Sequence, residues 1–277
     1  MSDTKLDSRP VLARVSRFSL RGQKKFLLGG LGILGFLAVW ELIPRLGIVQ
    51  ERFLPPASEV VIELLMSLGS SAVWIAIGET LYAWFIGLAI AVIGAILSGF
   101  LIGSSRFLKK ATHSTIEFLR PVPSVALIPL AVLLFGARIE STLLLVIYAA
   151  YWPVLIQVLY GVADVDAVAN DTAKSYRLGA LARIRYVVWP TALPYVMTGL
   201  RLAAAVALIL AITAELIIGS PGLGREISVA QAGGAVTQMY SLVLVTGLLG
   251  VVINSGLRFA EKRMLSWHIS TRKEEIA

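Results

Sequence analysis

The sequence predicts an all-α polytopic membrane protein with six transmembrane helices, and three observations lead to this prediction. Of the 277 residues, 57% are hydrophobic and 15% are charged, and the mean hydropathy is +0.81. A typical soluble domain is about 25% charged. Apolar, charge-poor stretches recur along the chain, and a membrane-crossing helix needs about 20 such residues. Basic residues are concentrated between alternate stretches. Together these features argue against a soluble enzyme.

The six spans are predicted over residues 26–43, 80–103, 118–136, 141–163, 195–218 and 239–258. They form one transmembrane domain over 26–263, with a basic tail at 1–25 and a C-terminal tail at 264–277. The first apolar run resembles a signal peptide superficially. It is longer than a typical signal-peptide core and ends without an A-x-A cleavage pattern, so we expect an uncleaved anchor.

The distribution of basic residues predicts the orientation of the spans. Most of the 25 Lys and Arg residues lie in 1–25, 104–117, 164–194 and 258–277, which six spans place on one side of the membrane. By the positive-inside rule, these segments and both termini are cytoplasmic, and the protein is a multi-pass protein of the inner or plasma membrane. This bias explains the net charge of +8 without nucleic-acid binding.

Two loops are long enough to hold helices of their own. Outside the membrane, residues 54–59 (LPPASE) indicate a turn that leads into an N-capped amphipathic helix. On the cytoplasmic side, the run from Thr172 to Tyr186 favours a helix, and we expect this helix to stop at Pro190 and Pro194 because proline disrupts helix interiors.

Two spans carry small residues at four-residue spacing. The second span has Gly87, Ala91, Ala95, Gly99 and Gly103, and the fifth has Gly199, Ala203, Ala207 and Ala211, after which the next position is Glu215. Small residues on one helix face allow close helix packing in lipid. We therefore expect both rows to be packing seams in a tight bundle.

The third span contains three prolines: Pro121, which directly follows Arg120, then Pro123 and Pro129. Broken helices at membrane depth are tolerated where they are buried in protein or line a cavity. Arg120, Pro121 and Pro123 are therefore candidates for a transport pathway or hinge. The alternative, in which the prolines only bend the span around its neighbours, stays open.

Other polar or aromatic residues within spans are also pathway candidates. Glu215 lies deep in an apolar run, where an acidic side chain normally faces the bundle interior or a polar cavity. Its alternative role is a hydrogen bond that locks two helices together. Tyr148, Tyr151 and Trp152 in the fourth span either line a ligand passage or pack with hydrogen-bonded hydroxyls.

Motifs of catalytic and cofactor sites are not found in the sequence. The chain has no Gly-Lys dipeptide and therefore no phosphate-binding loop of the G-x-x-x-x-G-K-[ST] type. It has no cysteine, and its two histidines, His113 and His268, are far apart in sequence. We expect no catalytic residue, no metal site and no cofactor in this chain.

The cytoplasmic loop resembles that of a known family. Asp171, Thr172 and Ala173 are followed by three residues, Arg177, nine residues and then V-x-W-P ending at Pro190. This resembles the E-A-A-x3-G-x9-I-x-L-P loop of binding-protein-dependent ABC transporter permeases. Arg177 stands where that family has glycine, and Gly179 follows two residues later.

Four further segments resemble the branch of this family that carries nitrate, taurine and aliphatic sulfonates. They are residues 54–60, residues 119–123 with 129–130, residues 192–194 with 198–201, and residues 214–216 with 222–224. The resemblance implies a MetI-like importer permease fold. It also implies a dimer with a second permease copy, two cytoplasmic subunits that bind ATP and Mg, and an extracytoplasmic solute-binding protein. The chain is expected to contact membrane lipid, and no nucleic-acid partner is expected.

The resemblance also implies that the 164–194 loop holds a coupling helix that docks into the ATP-binding subunits. The residues expected to take part are Asp171, Thr172, Ala173, Lys174, Arg177, Gly179, Arg183, Pro190 and Pro194. The alternative is a solvated or lipid-facing basic loop, since cytoplasmic loops are basic anyway.

The expected function is a transport subunit powered by a partner ATPase, with a substrate such as nitrate, taurine or an aliphatic sulfonate. Related permeases carry vitamin precursors or aromatic acids, so these substrates are alternatives. Another alternative is a stand-alone secondary transporter driven by protons or sodium through Glu215. The scarcity of intramembrane acids and the lack of a detectable inverted repeat argue against it. A non-transporting anchor or sensor is a third possibility, which six spans with a proline-rich one disfavour.

Overall fold

The computed structural model describes the backbone of residues 12–265 and the side chains of residues 28–265. This part of the chain contains helices and no strand, and it divides into two compact units, residues 1–62 and 63–277. The tails predicted at 1–25 and 264–277 lie partly outside the described residues. From Leu12 onwards, the N-terminal segment is already part of helix α1 (Leu12–Arg45).

In the first unit, a side chain near the C-terminal end of α1 caps the helix that the sequence predicts after residues 54–56 (LPP). This helix, α2, spans Ala57–Ser67. The Glu41 carboxylate accepts hydrogen bonds from the backbone N–H and the hydroxyl of Ser58, both at 2.9 Å. Arg45 pairs with the same carboxylate at 2.6 Å. An acidic group at a helix N-terminus satisfies unpaired N–H groups there. The cap therefore comes from Glu41 and not from a residue next to the helix.

The second unit continues in chain order with the following elements: α3 (Ser71–Ser104), α4 (Arg106–Leu119), a 3₁₀ helix (Ser124–Leu127), α5 (Ile128–Phe135), α6 (Ile139–Ala163), α7 (Ala167–Ser175), α8 (Ala180–Arg183), a π-helix (Ile184–Val188), α9 (Trp189–Ile218), α10 (Leu223–Ala232) and α11 (Val236–Met264). In the described residues, five helical segments are long and apolar enough to cross a membrane: 28–45, 71–104, 139–163, 180–218 and 236–264. The bent pair of α4 with the segment 124–135 makes a sixth candidate.

The helices extend beyond several predicted spans. The second begins at Ser71 and not at residue 80, because Ser70 caps it by accepting a hydrogen bond from the Ala72 N–H. Glu79 therefore lies within the helix, although it marked the limit of the charge-free stretch. Hydropathy detects the apolar part of a helix, whereas capping residues determine where the helix begins.

The third span is not one kinked helix over 118–136. It consists of two helices that meet at 82° around residues 120–123. Pro121 and Pro123 have no N–H to donate, so the regular hydrogen bonds of α4 cannot continue through them. Pro123 is extended, with φ −63° and ψ 120°, and the 3₁₀ helix follows it.

The core of the second unit is formed by α3, α6 and α9, with α6 packed against both of the others. A Cβ atom built on Gly87, Gly99 or Gly103 of α3 would lie 2.6–2.8 Å from a valine methyl of α6. The valines are Val146, Val158 and Val162. These positions require glycine because the helices approach so closely. The predicted packing role of this row is confirmed.

The small residues of α9 pack in the same way. Gly199 faces Val154 and Gln157 of α6, where an added Cβ would meet backbone and side-chain atoms at 3.1 Å. Ala203, Ala207 and Ala211 are fully buried. Close approach of α9 to α6 thus follows from the second predicted row.

The helix expected from Thr172 to Tyr186 is wrong. The chain leaves α7 at Tyr176, turns through Arg177, and starts α8 at Ala180. Pro190 and Pro194 do not stop a helix, since Pro190 lies in the first turn of α9 and Pro194 lies inside α9. Proline is tolerated at a helix start because the N–H groups there have no partner within the helix. Pro190 is therefore compatible with the start of α9, directly after the π-helix.

Candidate functional site

A cavity of about 530 Å³ lies between the bend of the third span, α6 and α9. Five of the seven pathway candidates line it: Arg120, Pro121, Pro123, Tyr148 and Trp152. Its other lining residues are Val122, Ser124, Ala149, Pro153, Ile156, Gln157, Leu202 and Val206. The structure thus brings together residues that the sequence singled out for two separate reasons, the proline cluster and the aromatic cluster.

A hydrogen bond from α6 stabilises the bend of the third span. Because Pro123 cannot donate, the carbonyl of Leu119 lacks its regular helical partner. The Tyr148 hydroxyl donates to this carbonyl at 2.6 Å. Tyr148 also packs edge-on against Trp152, with ring centroids 5.8 Å apart. One wall of the cavity is therefore a backbone break stabilised by an aromatic side chain, as expected for a broken helix that lines a cavity.

Tyr151 stabilises the same aromatic cluster from behind. Its ring is perpendicular to that of Trp152, at 5.2 Å between centroids, and its hydroxyl shares a hydrogen bond of 2.7 Å with Ser98 of α3. Tyr151 does not line the 530 Å³ cavity. It orients Trp152 and ties α6 to α3.

A second cavity of about 620 Å³ adjoins the first along α4. The two cavities share Arg120, Pro121 and Ile156. The second cavity is also lined by Lys109, His113 and Glu117 on one face of α4, and by Ile102, Ile116, Leu159, Tyr160 and Ala163. Arg120 therefore stands where the two cavities meet.

Glu215 lies in neither cavity. Its side chain is fully buried, and its Oε2 atom accepts hydrogen bonds from the Thr80 hydroxyl at 2.9 Å and from the Gly224 N–H at 3.0 Å. The Thr80 hydroxyl oxygen in turn accepts from the Leu223 N–H at 2.9 Å. This network connects α3, α9 and the first turn of α10, and these contacts are those of a lock between helices. The pathway role of Glu215 stays a prediction.

The segment between α9 and α10 is shaped to fit Glu215. Gly222 has φ +143°, which side chains other than hydrogen rarely allow, and a Cβ there would overlap the Glu215 carboxyl group. A Cβ on Gly224 would overlap the Ile212 carbonyl. This explains why G-L-G follows A-E-L at this distance in the sequence.

The first helix of the 164–194 loop is α7. Asp166 caps its N-terminus by accepting a hydrogen bond from the Val168 N–H at 2.7 Å. Its C-terminus has the hydrogen bonds of a Schellman motif, from the Leu178 N–H to the Ala173 carbonyl at 3.0 Å and from the Arg177 N–H to the Lys174 carbonyl at 2.8 Å. The turn of the chain is therefore defined by the backbone.

Arg177 occupies the left-handed position of this motif, with φ +54°. In the family loop that the sequence resembles, glycine stands at this position, and glycine is the residue that adopts such a φ without strain. Gly179 has φ −61° and does not replace it. The turn is thus formed with arginine where glycine is expected, and the Arg177 side chain is exposed.

The remaining loop residues are arranged around this turn. Asp171 and Lys174 are exposed and form an ion pair of 2.8 Å on α7, and Ala173 is buried. Thr172 is exposed beside them. Arg183 ends α8 and is partly buried. The described geometry thus combines an exposed charged helix with a buried anchor.

The loop is connected directly to the core. Helix α8, the π-helix and α9 follow one another without a break from Ala180 to Ile218. The Tyr195 hydroxyl on α9 donates to Asp164 at the end of α6 at 2.9 Å. A displacement of the loop would therefore be transmitted to α9 and α6 together.

Sequence reasoning missed several residues of these sites. Leu202 and Val206 line the first cavity, but their residue types are ordinary in a membrane span. Gln157 also lines it and was missed, although a glutamine within an apolar span is a polar signal. The sequence did not identify Thr80, whose hydroxyl donates to Glu215. A hydroxyl group within an otherwise apolar helix is the signal that could have identified it. Among the described residues, no group of three or more His, Asp or Glu side chains could hold a metal ion.

The chain matches a known protein family over most of its length. The profile of the family described as binding-protein-dependent transport system inner membrane component matches residues 91–266. The taurine transport system permease protein of Escherichia coli is 30% identical, over 91% of this chain and 93% of the relative. A putative aliphatic sulfonates transport permease protein of Bacillus subtilis is 27% identical, over 84% and 85% of the two chains. The bicarbonate transport system permease protein of Synechocystis is 29% identical, over 83% and 86%.

Solved structures share the fold at lower identity. A chain of an amino acid ABC transporter crystallised with histidines has a TM-score of 0.59 and 20% identity, with 72% of this chain and 97% of that chain covered. A chain of the MetNI methionine ABC transporter, in an inward-facing conformation, has a TM-score of 0.57 and 16% identity, with 68% and 92% covered. The predicted MetI-like fold is confirmed. The chain therefore belongs to the family of binding-protein-dependent transport system inner membrane components, the permeases of ABC importers.

Proposed function

We propose that this chain is the transmembrane permease subunit of an ATP-driven importer, in which two copies form the translocation pathway. Separate cytoplasmic subunits bind ATP and Mg and hydrolyse the ATP, and a solute-binding protein delivers the substrate from the other side. Both termini and the 164–194 loop are cytoplasmic, in agreement with the distribution of basic residues.

The observation that carries this proposal is the geometry of the 164–194 loop. Helix α7 is short, capped at both ends and exposed on its charged face, so it can dock as a preformed element. The continuous segment from Ala180 to Ile218 and the bond between Tyr195 and Asp164 link the loop to the core. Closure of an ATPase around the loop would therefore move α9 and α6 and alter the cavity between them.

The substrate proposed is a small anion or organic solute such as nitrate, taurine or an aliphatic sulfonate. Relatives named for taurine, aliphatic sulfonates, bicarbonate and nitrate transport support this class. Each of these solutes carries an oxyanion group or forms one in water.

Charge reversal in the loop tests the proposed docking. The tagged protein is purified in mild detergent from its native host, and co-purifying subunits and ATP hydrolysis are measured for the wild type, Arg177→Glu and Arg183→Glu. We expect an ATPase to co-purify with the wild type and to be lost in both variants. Arg106→Glu, an exposed arginine on α4 outside the loop, is the matched control and should retain the ATPase.

Two results would contradict the proposal. One is purification of the wild-type chain without an ATPase from cells that express its native partners. The other is equal loss of the ATPase in all three variants, because a general loss of basic charge would then account for the effect and α7 would have no specific role.

A further inference from the structure

The 530 Å³ cavity carries a positive charge that no acidic side chain balances. Arg120 is the one charged residue among those that line it. Within the described part of the chain, no carboxylate forms an ion pair with Arg120. The Arg120 side chain is exposed in the single chain, so it is open to an anion that enters the cavity from solvent.

Residues that line the same cavity carry hydrogen-bond donors for which the described residues supply no acceptor. The indole Nε1 of Trp152 is buried and has no partner among the described residues. A buried donor without an acceptor is costly, and such a group requires an explanation. Gln157 and Ser124, which also line the cavity, can each donate a hydrogen bond. Tyr148 cannot, because its hydroxyl proton is directed to the Leu119 carbonyl.

The adjoining cavity of about 620 Å³ is lined by further basic side chains beyond Arg120. Lys109 and His113 lie on the same face of α4 as Arg120, at helical spacing. The acid in this cavity, Glu117, contacts His113 at 3.3 Å. Lys109 has no ion-pair partner among the described residues. Arg120 and Lys109 therefore mark two successive positive positions along connected cavities.

We propose that Arg120 and the indole N–H of Trp152 form an oxyanion-binding site within the permease itself, from which the anion passes along α4 towards Lys109. This inference rests on the proposed transport function and adds a selective role for the permease, beyond selection by a binding protein. The planar guanidinium group binds two oxygens of a nitrate, bicarbonate or sulfonate group at once, and Trp152 donates to an oxygen of the same group.

The proposed oxyanion site should distinguish ligands by their charge and not only by their shape. Ethanesulfonate and ethyl methyl sulfone are similar in size, and both present sulfur-bound oxygens, but only ethanesulfonate is an anion. A site built on Arg120 binds the first and rejects the second. A cavity that selects by shape alone binds both.

The test uses the purified permease with its ATPase subunits and without the binding protein. Its melting temperature is measured against increasing sodium ethanesulfonate, sodium nitrate, sodium bicarbonate or ethyl methyl sulfone at constant ionic strength. A ligand that binds only the folded protein raises the melting temperature with concentration. Basal ATP hydrolysis is recorded for each preparation to show that the complex is assembled.

We expect at least one of the three anions to stabilise the wild-type complex and the sulfone to have no effect. Arg120→Gln should weaken the anion response roughly ten- to a hundredfold, the usual effect of losing a hydrogen bond to a charged group. Trp152→Phe should weaken it roughly two- to tenfold, and Arg120→Lys should be intermediate. Arg106→Gln changes an arginine at the opposite end of α4 that lines neither cavity, and this variant should respond as the wild type does.

An assembled, ATP-hydrolysing complex that no anion stabilises would overturn the oxyanion site and leave the proposed function standing. So would equal stabilisation by ethanesulfonate and the sulfone, or an unchanged response in both Arg120→Gln and Trp152→Phe. A wild-type chain that never assembles with an ATPase would instead overturn the proposed function.

Discussion

The contact between Gly99 of α3 and Val158 of α6 gives a quantitative test of the helix packing. In Gly99→Ala, the new Cβ would lie 2.6 Å from Val158 Cγ1 and 2.9 Å from its Cβ. The optimal separation of two carbon atoms is about 3.5–4.0 Å, so the helices must separate by close to an ångström or Val158 must move. Val158 is fully buried, and a valine in a helix has one strongly favoured rotamer. It therefore cannot rotate away.

The expected magnitude follows from two opposing effects. Overpacking of a tight core costs about 1–3 kcal/mol. Replacement of glycine by alanine within a helix gains at most about 1 kcal/mol. Gly99→Ala should therefore lower the free energy of unfolding by about 1–2 kcal/mol. Gly94→Ala is the matched control on the same helix, because its nearest atom would lie at 3.9 Å, which is an ordinary contact.

A double-mutant cycle assigns the effect to this pair of residues. Val158→Ala removes the methyl group that the Cβ added by Gly99→Ala would meet, so the double variant should be more stable than the sum of the single effects by about 1–2 kcal/mol. Unfolding of the full chain in mild detergent, followed by heat or by titration with a denaturing detergent, measures each variant. Equal stability of the Gly99→Ala and Gly94→Ala variants, or strictly additive effects in the cycle, would refute the packing argument.

Two further predictions concern the 164–194 loop and the buried acid. Arg177→Gly should stabilise the turn after α7 by about 1 kcal/mol because it removes a side chain from a left-handed position, and the Leu178 amide should then exchange its hydrogen more slowly. Gly179→Ala, at a position with an ordinary φ, is the control and should change the exchange rate little. Faster exchange of the Leu178 amide in Arg177→Gly would contradict this prediction. Glu215→Gln should leave stability near the wild-type level because one amide oxygen can accept both hydrogen bonds, whereas Glu215→Ala should cost about 1–3 kcal/mol for each donor left unpaired. Reduced uptake by a normally assembled Glu215→Gln complex would favour the pathway role.

Much of the fold could be predicted because the membrane imposes strong constraints on sequence. A span must be apolar and about 20 residues long, and close helix packing requires small residues at regular spacing. The rows at Gly87–Gly103 and Gly199–Ala211 satisfy both conditions, and both pack as expected. Signals of this kind lie within a single helix, so they can be detected without knowledge of its neighbours.

The bend of the third span and the turn in the 164–194 loop were predicted less well. Prolines indicate that a helix is disturbed, but the 82° angle depends on what stabilises the exposed carbonyls, here the Tyr148 hydroxyl from another helix. The turn at Arg177 was missed because arginine rarely adopts a positive φ. The sequence predicts that Pro190 and Pro194 end a helix because a proline at a helix start and one after a helix end look alike in sequence.

The candidate site was predicted in part. Arg120, Pro121, Pro123, Tyr148 and Trp152 stood out by residue type, and the structure places them around one cavity. The residues that complete the cavity come from α6 and α9 and are common in any span, so only their position identifies them. The partners of Glu215 are distant in sequence, and Thr80 is 135 residues away from it. Contacts of this kind depend on the tertiary fold.

The most direct test of the account is the energy source of transport. The complete complex is reconstituted in vesicles, and uptake of radiolabelled taurine, ethanesulfonate, nitrate and bicarbonate is measured with ATP, without ATP, and with an ATPase subunit that cannot hydrolyse ATP. The account predicts uptake of at least one of these solutes that requires both ATP and its hydrolysis. Uptake that continues without ATP and follows a proton or sodium gradient would contradict it.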